Sequence, residues 1–216
     1  MIQKMLRAIT AQYHLNAITT GEYGKMKVNG MNFDIWAFHA EGLGHVSAMT
    51  ASGFLGAMKM DTLIINPTDV DLPLCSYDRV HAMGNDTLIY ELYDTNLGSP
   101  ILSALDVVKE QAKDLPDHDL GEHWYDSIKL PQSFAKKGKK AHREAFDKSA
   151  MDYLNAYLQL AETAEGCDPV RKMEKASVYV EGLLENGGPS TDVFRKGLGE
   201  EKTADLFRRI LFGTRM

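Results

Sequence analysis

Residues 74–94 read LCSYDRVHAMGNDTLIYELYD. Two runs rich in β-formers, 77–83 and 87–93, flank Gly84-Asn85-Asp86. Gly, Asn and Asp tolerate positive φ, so this triplet suits a hairpin turn. The pattern continues toward the N-terminus: runs 26–28, 33–39, 46–51 and 60–65 alternate or are rich in β-formers. Their separators are turn signals, VNG at 28–30, GLG at 42–44 and Asn66-Pro67. Residues 22–94 therefore predict an antiparallel meander of six strands.

Outside the meander the period changes. Met5, Leu6, Ile9 and Tyr13 recur at helical spacing and predict a short amphipathic helix over 3–17. Leu102, Leu105 and Val108 predict another over 101–115. Residues 116–141 have little periodicity and hold Pro116, Pro131 and four lysines in the run 136–140. A long helix returns over 141–165, with Phe146, Met151, Leu154, Tyr157 and Leu158 in phase. Pro169 suits the first turn of the next helix, which Asn186-Gly187-Gly188-Pro189 breaks. Two short helices, 190–197 and 200–212, close the chain, with Ser190 or Thr191 as N-cap of the first. Strands followed by helices predict an α+β protein. The expected architecture is a three-layer α/β/α sandwich, a central antiparallel sheet flanked by helices, as one domain over 1–216.

The chain has 216 residues, with 24 Lys and Arg against 30 Asp and Glu, a net charge of −6. That acidic balance argues against a general nucleic-acid binder. No 18-residue apolar run predicts a membrane span, and the N-terminus lacks the apolar core of a signal peptide. Cys75 and Cys167 form no CxxC pair, which fits free thiols in a reducing cytoplasm.

Most catalytic motifs are absent: there is no GxGxxG, P-loop, HExxH or GxSxG. The cluster Asp117-His118-Asp119-Leu120-Gly121-Glu122-His123 reads as a solvated loop or, less simply, as metal ligands. Cys75 reads as a small buried residue beside Pro73 rather than a nucleophile. The run 136–140 is either a solvated loop or a docking patch for an acidic partner. Asp78 lies inside a strand, facing either solvent or the sheet's covered face. On the covered face desolvation would raise its pKa, and it could donate a proton at neutral pH.

Three stretches together resemble the ferredoxin-dependent bilin reductases. The first is Met60-Asp-Thr-Leu-Ile-Ile-Asn-Pro67, then Asp71-Leu-Pro-Leu-Cys-Ser-Tyr-Asp78, then a glycine turn and Thr87-Leu-Ile-Tyr-Glu-Leu-Tyr-Asp94. The second is Val178-Tyr-Val-Glu-Gly-Leu-Leu-Glu-Asn186, then Val193-Phe-Arg-Lys-Gly-Leu-Gly199-Glu-Glu and Leu206-Phe-Arg-Arg-Ile-Leu-Phe212. Trp124 and Ser127 sit where that family has a tryptophan and a Phe-Ser. The resemblance spans about 33–213 and implies one antiparallel sheet flanked by helices. It implies a pocket for a linear tetrapyrrole such as biliverdin, and a monomer. It implies no permanently bound cofactor and no metal. Single electrons would come from reduced ferredoxin or flavodoxin, while the protein delivers protons to substrate radicals. Asp78 falls on the family's proton donor. Thr87 falls on a pocket serine and Lys136 near an arginine, both of which hold propionates in the family, and Asn186 matches its C-terminal asparagine.

Departures accompany the resemblance. Thr62 stands where family members carry a histidine or asparagine, and a one-residue slip would substitute Asp61. Gly187 replaces a second aspartate after Asn186. Thr50 falls near an acidic residue that some members carry. The pattern implies a divergent member with simpler regiochemistry or an unusual substrate. Two alternatives stand beside a reductase: a redox-inactive carrier or chaperone for linear tetrapyrroles, and an unrelated α+β protein.

Overall fold

The structure, a computed structural model, describes residues 1–215. Eight strands form one antiparallel sheet: β1 (Leu15–Ile18), β2 (Lys25–Val28), β3 (Met31–Ala40), β4 (Gly44–Gly53), β5 (Met58–Asn66), β6 (Leu74–Ala82), β7 (Asn85–Tyr93) and β8 (Phe134–Lys139). The order is β1-β3-β4-β5-β6-β7-β8, with β2 also pairing β3. Side chains alternate across the sheet, so each strand feeds two cores. On one face α1 (Ile2–Thr10), α2 (Ser103–Gln111) and α3 (Arg143–Thr163) pack over Cys75, Tyr77, Leu88 and Tyr90. On the other, α4 (Pro169–Asn186), α5 (Pro189–Leu198) and α6 (Glu200–Asp205) pack over Phe33, Met49, Ile64 and Tyr93. The result is the three-layer α+β sandwich expected from the sequence.

The six predicted strands are present, and two more frame them. β1 lies inside the predicted helix 3–17: the helix stops at Thr10 and residues 15–18 pair with β3 instead. Long-range pairing there overrides local periodicity. β8 contains the lysine run up to Lys139. Lysines on an edge strand oppose further pairing between chains, and only Lys137, Lys139 and Lys140 are exposed. The hairpin loop is Met83-Gly84, both at positive φ, with Asn85 already paired to Ala82.

Two polar anchors fix the helices around the second core. Lys172 of α4 is buried and donates to Asp71 Oδ1 at 3.0 Å and to the carbonyls of Leu72 at 2.6 Å and Thr95 at 2.8 Å. At the C-terminal end, α6 runs into a π-helical stretch, Leu206–Leu211. The last carbonyls of a helix have no partner within it, and the sheet takes three at this end. His45 Nε2 donates to Ile210 O at 2.8 Å, Ser47 Oγ to Leu211 O at 2.7 Å and Asn66 Nδ2 to Phe212 O at 2.8 Å. Burial pushes His45 down to about 4, so the ring is neutral at pH 7 and its Nε2–H is available to donate. Gly213 has φ +61°, and a Cβ there would lie 2.4 Å from the His45 ring, so a glycine lets the chain close over it.

Candidate active site

The register of four strands assembles the site. Met49 of β4 pairs with Thr62 of β5, Thr62 with Asp78 of β6, and Asp78 with Ile89 of β7. These residues form one row on the face covered by α4–α6. The next row on the same face is Ser47, Ile64, Ser76 and Glu91. Thr62 Oγ1 donates to Asp78 Oδ1 at 2.5 Å. Asp78 is partly exposed, and what it meets is a cleft between sheet and helices.

The cleft has about 270 Å³ of room for water centres, and about 1040 Å³ with its open mouth counted. Its floor is Asp78 and Thr62 among Met49, Met60, Val80 and Ile89. Leu211 and Phe212 wall it from the C-terminal end, and Ser190 and Thr191 from the first turn of α5. An aromatic group closes the remaining side. Tyr93 stacks on Tyr179 at 4.1 Å between centroids, and Tyr125 meets both edge-on. Trp124 backs this group and donates Nε1–H to Gly187 O at 3.2 Å. It lies over Gly182, where a Cβ would come within 2.2 Å of the indole. Apolar walls with few convergent polar groups are the ordinary make-up of a small-molecule site.

Electrostatics single out Asp78. Burial pushes its carboxyl up to about 6, the Thr62 hydroxyl opposes the rise, and the negative charge of Glu91 adds to it. The acid is thus fractionally protonated near neutral pH, where a weaker shift would leave it fully ionised. Burial also raises the phenols of Tyr93, Tyr125 and Tyr179, which stay neutral.

The structure brings together only part of the predicted set. Asp78 and Thr62 touch, and Thr62 rather than Asp61 faces the cleft. Asp61 pairs with Thr50 and Arg79 in the adjacent row, on the opposite face. Thr50 is therefore turned away, and Met49 takes the position beside Thr62. Thr87 shares the cleft face and pairs with Val80 of the cleft floor, but it does not itself line the cleft. Lys136 pairs with Leu88 and is buried on the opposite face, donating to Asp117 Oδ1 at 2.6 Å and Leu115 O at 3.0 Å. A propionate-binding lysine was expected there, but the side chain is committed to these partners. Asn186 is exposed at the end of α4 and donates to Gly182 O at 3.2 Å.

Two further residues complete the lining: Glu91, not singled out in the sequence, and His123, read there as part of a solvated loop or as a metal ligand. Glu91 is 9% exposed and accepts from Tyr93 Oη at 2.7 Å. His123 also lines the cleft, stacked on Tyr125 at 4.9 Å, whereas its neighbours in the acidic cluster, Asp119 and Glu122, are exposed. Among the described residues, no three His, Cys, Asp or Glu side chains are grouped to hold a metal ion. Alternation along β7 carried the signal for Glu91: Thr87, Ile89, Glu91 and Tyr93 share one face.

No family model matches the chain, and no curated protein matches it. Among solved structures, the chain is similar to phytochromobilin synthase from tomato in a crystal structure with biliverdin. The TM-score is 0.80 at 15% identity, and the match covers 99% of this chain and 82% of that one. The two chains share a fold.

Proposed function

We propose that this chain is a bilin reductase that reduces biliverdin or a dihydrobiliverdin, with Asp78 as proton donor. The observation that carries the reading is a carboxyl near neutral pKa at the floor of an open apolar cleft. A tetrapyrrole is a long conjugated plane, and the cleft offers a flat strand floor with apolar and aromatic walls. The similar fold that holds biliverdin adds support. Asp78 is suited to give a proton to a bilin radical because its protonated form persists near pH 7. Thr62 holds the carboxyl in place; its hydroxyl cannot serve as a neutral-pH acid. Ser190 and Thr191, at the first turn of α5, are suited to a propionate, in place of Lys136.

Electrons would arrive one at a time from reduced ferredoxin or flavodoxin, with no cofactor kept by the chain. Exposed Lys137 and Lys139 on edge strand β8, with Lys140 just after it, suit docking of such an acidic donor, with a salt-sensitive association rate. Lys137 pairs with Thr87, two residues along β7 from the partner of Asp78, so this face is close to the cleft. We place this reaction in the cytoplasm and assign it to a monomer.

The test is anaerobic incubation with biliverdin and reduced ferredoxin, followed by chromatography. A bilin-bound spectrum that then shifts to a reduced product is expected. Stoichiometric binding with no conversion would instead make the chain a carrier or chaperone.

A further inference from the structure

We propose that Glu91 is the second proton-holding carboxyl of the cleft, delivering the proton that Asp78 does not. This assignment rests on the bilin reading above. It addresses a gap in that chemistry: saturating one bilin double bond takes two electrons and two protons, and Asp78 supplies one proton. Gly187 offers no acid where the resembling family has its second one.

Glu91 has the position for this task. It pairs with Ser76, the residue two before Asp78, so the two carboxyls are diagonal neighbours on one face. Diagonal neighbours in an antiparallel pair lie roughly 7–8 Å apart at their Cα atoms. Both line the same cleft, at a separation that suits two ends of one reacting bond better than one shared proton. Glu91 also has the bonding for it. Tyr93 fixes Oε2, while Oε1 is buried with no hydrogen-bond partner. Lys129 Nζ lies 3.8 Å from Oε1, within ion-pair distance but beyond hydrogen-bond reach. A buried carboxylate oxygen without a donor is costly. The cost is relieved when that oxygen carries a proton or meets a ligand N–H. A pyrrole of a bilin lying over Asp78 presents such an N–H.

One electron from an iron–sulfur donor makes a bilin radical anion, and the Asp78 O–H proton bonds to one carbon of the reducing double bond. The second electron enters only as the Glu91 O–H proton bonds to the other carbon, so no free carbanion forms. Both carboxylates regain protons from water between turnovers.

The test compares Glu91→Gln with Glu91→Asp under stepwise anaerobic reduction. The glutamine is isosteric and keeps the Tyr93 bond but has no proton to transfer; the aspartate is shorter and disturbs packing more, yet keeps the acid. Glu91→Gln should bind biliverdin, take up one electron and stall as a radical visible by electron paramagnetic resonance, with product formation down about 100-fold or more. Glu91→Asp should convert bilin at least about 10-fold faster than Glu91→Gln, because it keeps a proton to transfer. A merely structural Glu91 would reverse that order, and that result overturns the assignment. So does Glu91→Gln turning over at the wild-type rate. If the wild-type chain converts no bilin at all, the bilin reading falls, and this assignment with it.

Discussion

Asp78→Asn should abolish bilin conversion and stabilise the folded chain at neutral pH. The carboxyl has an ordinary pKa of 3.8 and rises to about 6 in the fold, chiefly because burial penalises its charge. The folded state therefore holds a proton that the unfolded chain releases between these values. Stability falls as pH climbs through that window, and the deficit is complete above pH 6. A shift of that size corresponds to up to about 3 kcal/mol at pH 8, falling to about 0.5 kcal/mol at pH 4. Asparagine carries no charge at either pH and can still accept from Thr62. The variant should thus exceed wild type by up to about 3 kcal/mol at pH 8, or about 6–12 °C in Tm for a chain of this length. Near pH 4 the two should almost coincide. The assay is urea unfolding of the bilin-free proteins from pH 4 to 8, followed by tryptophan fluorescence and circular dichroism. Other titrations contribute equally to both chains and cancel in the difference. A gap that does not grow with pH, or a variant less stable than wild type at pH 8, would refute the desolvated-carboxyl reasoning.

Two predictions concern the anchors. His45 falls from an ordinary 6.5 to about 4 in the fold, so the unfolded chain takes the proton first as pH drops. Its contribution is complete above pH 6.5 and is lost as pH falls toward 4, by about 3 kcal/mol. His45→Gln should flatten that part of the stability curve in urea titrations; an unchanged slope would show that His45 is not its source. Lys172→Met removes the cation paired with Asp71, which keeps the amides of Leu97 and Gly98, and takes the Lys172 ammonium from the carbonyls of Leu72 and Thr95. Calorimetry at pH 7 should show a loss of about 3–5 kcal/mol, and a loss below about 1 kcal/mol would mean that the anchor is not strained by removal of its charge.

The meander was legible because a half-buried strand writes its period directly into the sequence, and the 74–94 hairpin does so most clearly. The long helices were legible for the same reason at a period of 3.6. β1 and β8 were not, since four residues of Leu15–Ile18 and six of Phe134–Lys139 acquire strand character only from the strands they meet. The misplacement of Lys136 follows. Read as part of a loop, it was free to reach a ligand; in β8 its face is set by pairing with Leu88, and Asp117 takes its charge.

The site shows the same division more sharply. A strand's period says which residues share a face but not which face is covered. Asp78 therefore had two readings until β5 and β7 fixed its neighbours and α4–α6 covered it. Once Asp78 is on the covered face, antiparallel pairing leaves little freedom: Thr62 must stand beside it, and Glu91 must stand diagonally across. His123 reaches the same cleft by a loop with no period, so no count along the chain could place it. Two carboxyls on one covered face oppose stability, since the charge of Glu91 disfavours that of Asp78. Asparagine and glutamine would remove that repulsion while keeping the shape. A sequence that retains both acids here keeps groups able to hold protons, and proton supply is what the reduction of a double bond requires.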